Sequence, residues 1–373
     1  MILLSTVFEL NDPSEMISPA LIYYKDIIIH NTRLAIEMTG GPQRLWPHVK
    51  SHKMEKMVKL QLEMGIRRFK CATIAEAEMT AAAGADHVLL AYPLIGPNLK
   101  RYLELIKAFP NTRFWAIGDD FEQLSVLSEH AVQRNMKIDT LLDVNMGMNR
   151  TGVPLQQAEQ LYEKATQLPG LSLKGMHCYD GNHNDSDLQV RLGQVREADL
   201  QVKEIQVELM KKKIECSTMI MGGTPSFPCH ALVTEWFLSP GTAFIDDAGY
   251  QKNLPDLSFE PAAAILTRVI SHPAPGLFTL DLGYKGIAAD PAGVRGIIAG
   301  FDRAHVLFQS EEHWVFEMNP EHENEVPAIG TVFYVIPTHI CPTSALYPAV
   351  LVAQNGNIIE EWEVTARNRK LTF

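Results

Sequence analysis

The chain has 373 residues, of which 46% are hydrophobic and 21% are charged, and this composition is typical of a folded globular protein with a large core. Its formal net charge of −11 opposes the binding of nucleic acid over a broad surface. Because no apolar run is long enough to span a bilayer, we expect neither a nucleic-acid nor a membrane partner, and the length predicts two domains or one barrel with an addition.

The start of the chain and its cysteines indicate the compartment. The opening segment MILLSTVFELNDP has no basic region, and Glu9 interrupts a short apolar run, so a strand is predicted there and not a signal peptide. The five cysteines show no paired spacing, which favours a reduced compartment over a disulfide framework. We therefore expect a cytoplasmic protein.

Residues 18–255 are predicted to form a parallel (β/α)8 barrel of the TIM type. Short apolar runs alternate there with amphipathic stretches, and eight strands in about 200 residues is the spacing of such a barrel, with an open doubly wound sheet as the alternative. The predicted strands are 45–49, 68–72, 87–92, 112–117, 140–144, 173–178, 217–221 and 234–238. The predicted helices are 53–64, 74–83, 98–108, 121–135, 155–167 and 188–212.

Residues 256–373 are predicted to form a second domain made of β-strands. Several short apolar runs are separated there by glycine and proline turns, among them GTVFYVIP and YPAVLVAQNGNIIEEWEV. The sequence QNGN between two apolar runs is a hairpin signal. Residues 1–17, which include LLSTVFEL, are expected to join this β domain.

Two glycine loops follow the last two predicted barrel strands. MIMGGTPS contains Gly223 and Thr224, and FLSPGTAF contains Gly241 and Thr242. The active-site face of a parallel barrel lies at the carboxyl ends of its strands, where bare backbone N–H groups can bind a phosphate. Each loop alone could be a plain turn, but together they favour a phosphorylated ligand.

The segment RLWPHVKSHK places Lys50 at the end of the first predicted strand. A lysine there and a phosphate site at the last two strands are neighbours across a closed barrel. This arrangement suggests pyridoxal phosphate, with the lysine forming a Schiff base and the backbone amides holding the phosphate. The alternative is that Lys50 and Lys53 are surface lysines at the start of a helix.

At this point the chain resembles a known family. RLWPHVKSHK is similar to the cofactor-lysine motif of fold-type III pyridoxal phosphate enzymes, and more narrowly to that of D-threonine aldolases and D-serine dehydratases, which are relatives of alanine racemase. The resemblance continues through CATIAEAE, DVNMGMNRTG, GMHCYDGNH, MGGTPSFP, SPGT, SEEHW and PTHICPT, in family order and over nearly the whole chain. It implies a homodimeric lyase that acts on a small D-3-hydroxy amino acid.

The resemblance also implies roles for single residues. Lys50 would carry the internal aldimine and act as the base at the α-proton, with His48 beside it. Arg150 would lie near the phenolic oxygen of the cofactor, where a guanidinium stabilises oxyanion character. Tyr179 or His177 would contact the pyridine ring. The phosphate loops would be formed by Gly223, Thr224, Gly241 and Thr242.

Some of these assignments have open alternatives. Arg150 could pair only with Asp143, and Tyr179 could be a core residue. Alanine racemases carry an arginine against the pyridine nitrogen immediately before the last phosphate loop, whereas this sequence has Ser239. The partner of the pyridine nitrogen is therefore left unassigned.

The segment PTHICPT places His339 and Cys341 two residues apart, at the end of the apolar strand TVFYVIP. Strand alternation would put both side chains on one face, about 6.6 Å apart, within reach of one metal if the backbone bends at the flanking prolines. Imidazole and thiolate favour zinc, with manganese as the alternative. In the resembled family this position binds a divalent metal. Further candidate ligands are Glu311, Glu312 and His313.

Cofactor and metal together support two reactions. The cofactor acidifies the bonds at Cα, and a metal can help a β-hydroxyl to leave, which gives dehydration. If a base such as His183 removes the hydroxyl proton instead, the Cα–Cβ bond breaks as a retro-aldol reaction, although His183 could also be a surface histidine. Cys341 favours dehydration, because the dehydratases of the resembled family carry histidine and cysteine where several aldolases carry histidine and aspartate.

Other activities are kept as alternatives. An amino-acid racemase needs a second acid/base, and Tyr284 in LDLGYKG lies in the region where alanine racemases carry theirs. A non-catalytic pyridoxal phosphate carrier and a cofactor-free barrel hydrolase are further alternatives.

Overall fold

The structure, a computed structural model, describes residues 5–373. The chain divides into two compact units, which we call the barrel unit and the β unit. The barrel unit contains Arg33–Lys50, Met54–Gly241 and Asn368–Phe373, and the β unit contains the residues up to Thr32 together with Ser51–Lys53 and Thr242–Arg367.

The barrel unit is built on a parallel sheet whose two ends are linked. Isolated bridges join Leu45 to Leu238 and His48 to Lys70, so residues 45–48 occupy the place of the first strand. The predicted (β/α)8 barrel is therefore confirmed. In sheet order, its remaining strands are Arg68–Cys71, His87–Leu90, Arg113–Gly118, Ile138–Asn145, Leu171–Cys178, Thr218–Met221 and Phe237–Leu238, and the two-residue strand Val153–Pro154 pairs with Ile138–Asn145.

Apolar side chains from several barrel strands form a buried cluster. Trp46 and Trp115 pack edge to face with ring centroids 5.8 Å apart. Leu89, Leu141 and Ile220 belong to the same cluster. Because a barrel of this kind is filled by side chains, polar groups that serve a ligand are expected at the strand ends.

The helices of the barrel unit begin and end within a few residues of their predicted bounds. Thr73 explains one of the starts, because its hydroxyl accepts a hydrogen bond from the N–H of Glu76 at 3.1 Å. The six predicted helices are observed as Glu55–Glu63, Ile74–Ala82, Pro97–Ala108, Phe121–Val132, Leu155–Ala165 and Leu188–Lys211. The other helices are Ser5–Phe8, Lys25–Met38, Phe227–Val233, Ala248–Asn253 and Ile340–Leu346, and the 3-10 turns are Pro42–Arg44, Val49–Ser51, Thr242–Phe244 and Pro320–His322.

None of the helices in residues 5–373 is both long enough and apolar enough to cross a membrane.

The β unit contains a mostly antiparallel sheet. The QNGN signal is confirmed as a hairpin turn, in which Asn355 and Gly356 have φ angles of 51° and 73°. The strands follow the order Ala304–Gln309, Trp314–Met318, Leu277–Leu280, Ala263–Ser271, Ala20–Tyr24, Ala349–Gln354 and Asn357–Glu363, with Val332–Pro337 pairing both Ala263–Ser271 and Gly296–Ile298.

The prediction of a strand in the N-terminal segment is wrong in its described part, although the segment belongs to the β unit as expected. Ser5–Phe8 is helical, while residues 1–4 lie outside the described residues. The strand that the N-terminal region adds to the β unit is Ala20–Tyr24, which pairs antiparallel with Ala263–Ser271 and parallel with Ala349–Gln354. A short apolar run does not distinguish a strand from a helix, and this strand depends on pairing partners far along the chain.

Candidate active site

Lys50 lies in a 3-10 turn, Val49–Ser51, directly after the residues that close the barrel sheet. Next to it, the imidazole Nδ1 of His48 donates a hydrogen bond to the carbonyl of Lys70 at 3.1 Å. Desolvation is the largest cause that lowers the pKa of His48 well below its usual value, and the positive charges of Lys70 and Lys50 lower it further. His48 is therefore a neutral imidazole beside two lysines.

The ring of Tyr179 lies between two cationic side chains. The guanidinium carbon of Arg150 is 5.0 Å from the ring centroid, and the amine of Lys70 is 5.4 Å from it. Arg150 is exposed. The structure thus brings together Arg150 and Tyr179, both of which the sequence motifs singled out.

Lys70 was not identified from the sequence. It belongs to the strand Arg68–Cys71 and is only 2% exposed. Burial is the main cause that lowers its pKa to about 7, and Lys50 and Arg150 lower it further, whereas Asp143 and Asp180 raise it. The signal in the sequence was a lysine within the short strand RFKC, because lysine is almost never fully buried unless it is paired.

His177 is buried and is oriented by Asp143. Its Nδ1 donates to a carboxylate oxygen of Asp143 at 2.7 Å. Desolvation lowers the pKa of His177 although Asp143 opposes the shift. Its Nε2 has no hydrogen-bond partner within residues 5–373. A buried polar nitrogen left in this way is an available contact for a polar ligand atom.

Asp180 connects the predicted base His183 to a buried network. The Nδ1 of His183 donates to Asp180 at 3.1 Å, the hydroxyl of Ser226 donates to it at 2.6 Å, and the Nε2 of His230 donates at 2.9 Å. The Nδ1 of His230 donates a hydrogen bond to Asp199 at 2.8 Å. These hydrogen bonds fix His183 in one orientation. The sequence motifs contained Asp180, His183 and Ser226, but a role was predicted only for His183.

His183 also lines a polar cavity of about 540 Å³ at the end of the strand Ile138–Asn145. The cavity is bordered by amide and carboxylate side chains, which include Asn145, Asn149, Gln194 and Glu197. A histidine that is held by a carboxylate and faces such a cavity is suited to transfer a proton.

The first glycine loop lies against Tyr179. Gly222 has a φ of +76°, and the N–H of Gly223 donates to the hydroxyl of Ser226 at 3.2 Å. A Cβ on Gly223 would come within 2.8 Å of the Tyr179 ring. The backbone can therefore approach the ring this closely only because residue 223 has no side chain. Thr224 is buried, and its hydroxyl accepts from the N–H of Gly241 at 3.3 Å, which connects the two predicted loops.

The residues of the barrel unit fit a phosphorylated aldehyde cofactor. In the barrel unit the charges of Lys50 and Arg150 both act on Lys70, and the carboxylates that act on Lys70 already accept hydrogen bonds from other donors. The amine, the guanidinium and the close glycine loop are the donors that an anionic pyridoxal phosphate requires. Ser239 is buried and donates its hydroxyl to the carbonyl of Trp46 at 2.7 Å.

His339 and Cys341 lie together in the β unit, but not on a strand. The strand ends at Pro337, His339 is extended, and Cys341 lies in the first turn of the helix Ile340–Leu346. The expectation of two residues on one strand face is therefore wrong. The helix begins here because a carboxylate oxygen of Asp247 accepts the N–H of Ile340 at 3.0 Å.

The donor set around His339 suits a divalent metal. Its Nδ1 donates to Asp290 at 2.5 Å, and a hydrogen bond with Cys341 is the main cause that raises its pKa to about 9. Burial opposes ionisation of the Cys341 thiol, but hydrogen bonds outweigh it and lower the pKa. The Thr242 hydroxyl lies 3.2 Å from the Cys341 sulfur. Carboxylate-oriented imidazole and thiolate are typical zinc donors.

The other metal candidates are exposed residues of the β unit. Glu311, Glu312 and His313 are exposed, and Lys285 forms ion pairs with both glutamates. Among the described residues, no three histidine, cysteine, aspartate or glutamate side chains form a group that could hold a metal. Tyr284, the candidate second base of a racemase, is 37% exposed and lies under the guanidinium of Arg295, 5.6 Å from ring centroid to carbon.

Comparisons with known proteins identify relatives over most of the chain. It is 28% identical to a D-threonine aldolase of Arthrobacter sp. over 330 residues, which cover 87% of this chain and 85% of the relative. A crystal structure of D-threonine aldolase from Filomicrobium marinum matches with a TM-score of 0.87 at 28% identity, over 95% of this chain and 97% of the other. A D-threo-3-hydroxyaspartate dehydratase, solved as a cysteine-to-alanine variant in the metal-free form, shares the fold with a TM-score of 0.80 at 19% identity, over 94% and 97% of the two chains.

Two family models match consecutive parts of the chain. The model of a serine dehydratase domain matches residues 262–353. The model described as the alanine racemase N-terminal domain matches residues 25–244, which is more than half of the chain. The chain therefore belongs to the alanine racemase N-terminal domain family.

Proposed function

We propose that this protein is a pyridoxal phosphate-dependent lyase that acts on D-3-hydroxy amino acids and requires a divalent metal. The observation that carries the proposal is the position of Lys50, at the closing residues of a barrel that also holds Arg150, Tyr179 and the glycine loop at Gly223. D-threonine aldolase is among the relatives along most of the chain. When bound, the cofactor would supply an electron sink for the bond that breaks at the substrate Cα.

Within the barrel unit, the proposal gives each residue one task. Lys50 would hold the cofactor and move the proton at Cα. Arg150 would bind the phenolic oxygen, and Tyr179, which packs against Arg150, would contact the pyridine ring. His177 would present its Nε2 to the cofactor, while Asp143 keeps the proton on Nδ1. The phosphate would be held by Gly223, Thr224, Gly241 and Thr242.

His183 would serve as the acid or base for the β-hydroxyl of the substrate. Asp180 holds its Nδ1 at 3.1 Å, so Nε2 is the nitrogen left to face a substrate. In the β unit, His339 and Cys341 would bind the metal, with zinc favoured by the donor set and manganese as the alternative. We also propose that the protein is cytoplasmic and forms a homodimer. Light scattering would test the homodimer by its molar mass in solution.

Product analysis separates the two lyase reactions. The purified protein is assayed with D-serine, D-threonine and D-3-hydroxyaspartate, with and without a chelator. A 2-oxo acid with ammonia identifies dehydration, and glycine with an aldehyde identifies retro-aldol cleavage. Cys341 favours dehydration. Inversion at Cα that persists with the chelator would contradict the proposal and support a racemase.

A second experiment tests the attachment of the cofactor itself. The protein is treated with borohydride and digested, and the masses of its peptides are measured by mass spectrometry. We expect the mass of the reduced cofactor on the peptide that contains Lys50. A label on another lysine, or on none, would overturn the proposal, and the variant Lys50→Ala provides the matched unlabelled control.

A further inference from the structure

A buried histidine, His230, lies between two aspartates and has no task in the proposed chemistry. It belongs to the helix Phe227–Val233, and its side chain is fully buried. Its Nε2 donates to Asp180 at 2.9 Å, and its Nδ1 donates to Asp199 at 2.8 Å. Because both ring nitrogens are bound, the imidazole cannot turn without breaking a buried hydrogen bond.

The carboxylate of Asp180 is shared between His230 and the proposed acid or base of the reaction. Its Oδ2 accepts from His230 and, at 3.1 Å, from the Nδ1 of His183. Its Oδ1 accepts from the hydroxyl of Ser226 at 2.6 Å. Since the carboxylate is buried, these three donors determine its orientation.

The charges in this network strengthen the bond between His230 and Asp180. Burial opposes the charge of His230, but hydrogen bonds to Asp180 and Asp199 outweigh it and raise the pKa to about 9. At neutral pH, His230 is therefore a cation between two carboxylates. Its hydrogen bond to Asp180 is charge-assisted, and such bonds are shorter and stronger than those between neutral groups.

We propose that His230, held by Asp199, is a positioning residue that keeps the Asp180 carboxylate in place and so fixes the imidazole of His183 at the polar cavity. Each link in this series is a hydrogen bond between two side chains of the barrel unit. The last member, His183, lines the cavity of about 540 Å³. The inference rests on the proposed function, because it gives His230 a part in the acid–base step assigned to His183.

Two amide variants of His230 separate its two hydrogen bonds. A glutamine amide reaches about as far as Nε2, so His230→Gln keeps a donor for Asp180. The shorter His230→Asn reaches about as far as Nδ1 and keeps only the bond to Asp199. Neither amide is charged. We expect the kcat of His230→Asn to fall roughly tenfold to hundredfold with little change in KM, and that of His230→Gln to fall by a clearly smaller factor.

A double variant tests whether His230 acts through His183. His183→Ala alone should lower kcat roughly hundredfold or more. If His230 only orients His183, the double variant His183→Ala with His230→Asn should be no slower than His183→Ala. Losses that multiply would show that His230 affects activity by another route, and the positioning role would be wrong.

The orientation of His183 can also be measured without catalysis. In protein labelled with nitrogen-15 at its histidines, NMR shows which ring nitrogen of a neutral imidazole carries the proton. The signal of His183 is identified by its loss in His183→Ala. We expect the proton on Nδ1 in the unchanged protein and in His230→Gln, and shared between both nitrogens in His230→Asn. The same signal in His230→Asn as in the unchanged protein overturns the proposal.

Controls separate position from folding. Glu235→Gln changes an exposed carboxylate that borders the same surface groove as Asp199, and it should leave kcat and the His183 signal unchanged. If thermal unfolding shows that His230→Asn does not fold, Asp199→Leu replaces it. That variant removes the partner of Nδ1, and its loss of kcat should also disappear in the His183→Ala background.

The outcomes distinguish the two levels of inference. If the unchanged protein has no lyase activity, the proposed function fails, and the NMR signals alone decide the role of His230. If the protein is active but His183→Ala is equally fast, His183 is not the acid or base, and the role of His230 is overturned with it. If both amide variants lose kcat equally, the bond to Asp180 is not the cause, and only the role of His230 is overturned.

Discussion

The Nδ1 of His177 lies 2.7 Å from a carboxylate oxygen of Asp143, and both side chains are buried in neighbouring strands of the barrel. The second oxygen of Asp143 and the Nε2 of His177 have no partner within the described chain. Of the four polar side-chain atoms in this pair, only the two that bond to each other therefore have a hydrogen-bond partner among the described residues. It is stable in the barrel as a pair, and each member alone would be a buried polar group without a partner.

The single variant His177→Phe should therefore lower the free energy of unfolding more than a double variant that removes both polar side chains. It leaves the Asp143 carboxylate buried without a donor, and we expect the free energy of unfolding in urea to fall by about 2–3 kcal/mol. The double variant Asp143→Leu with His177→Phe removes both polar groups and should recover at least half of that loss. A double variant that is as unstable as the sum of the two single variants would contradict this view of the pair. Asp302→Asn, at an exposed carboxylate, serves as the neutral control.

The stability of the protein should decrease at alkaline pH because of His230. Burial opposes the charge of this imidazole, but hydrogen bonds to Asp180 and Asp199 outweigh it and raise the pKa to about 9. The folded-state pKa lies above the usual value of 6.5, so the stabilisation is complete below pH 6.5 and is lost as the pH rises through 9. We expect a loss of about 3 kcal/mol in the free energy of unfolding across this window.

The measurement is a series of urea unfolding curves across that pH window. In His230→Gln the pH dependence between 6.5 and 9 should differ from that of the unchanged protein by the contribution of His230, while His339, whose pKa is also raised to about 9, keeps its own contribution. In His305→Gln, which changes an exposed histidine paired with Glu317, the dependence should persist. An equal slope in the unchanged protein and in His230→Gln would refute the assignment.

Periodicity made most of the fold predictable. The helix Leu188–Lys211 was predicted as 188–212, and Ile74–Ala82 as 74–83, because apolar spacing is a local signal. The turn at Asn355 and Gly356 was predictable for the same reason, since only a few residue types adopt positive φ readily. Where the signal is local, the sequence alone is sufficient.

Features that depend on distant partners were not predictable. The helix Ile340–Leu346 begins where Asp247 accepts the N–H of Ile340, a contact between residues 93 positions apart. Sequence patterns placed His339 and Cys341 on a strand because they contain no information about that carboxylate. Lys70 was missed for a related reason: a lysine within a short predicted strand is only a weak signal, and the burial of its side chain depends on elements far along the chain.

Gly223→Ala should weaken cofactor binding without a large loss of stability. A Cβ at this position would come within 2.8 Å of the Tyr179 ring, which must move to accommodate it. Because Tyr179 also packs against Arg150, we expect the affinity for pyridoxal phosphate to fall roughly tenfold, or about 1.4 kcal/mol, in a titration followed by absorbance. Gly193→Ala is the matched control, since its added Cβ meets nothing within 4 Å in the helix Leu188–Lys211. That variant should bind normally, and equal weakening in both would rule out the contact with Tyr179 as the cause.

Asp290→Asn should weaken metal binding while the fold persists. The Nδ1 of His339 donates to Asp290 at 2.5 Å, and a carboxylate in that position orients an imidazole and increases its basicity as a metal ligand. We expect the affinity for zinc to fall about 10–100-fold, measured by calorimetric titration of protein that has been treated with a chelator. Both side chains are partly exposed, so the free energy of unfolding should change by less than about 1 kcal/mol. Glu312→Gln, at a carboxylate 3.7 Å from Lys285, should bind zinc normally. If Asp290→Asn binds zinc as well as the unchanged protein while His339→Ala does not, the imidazole binds the metal without help from Asp290.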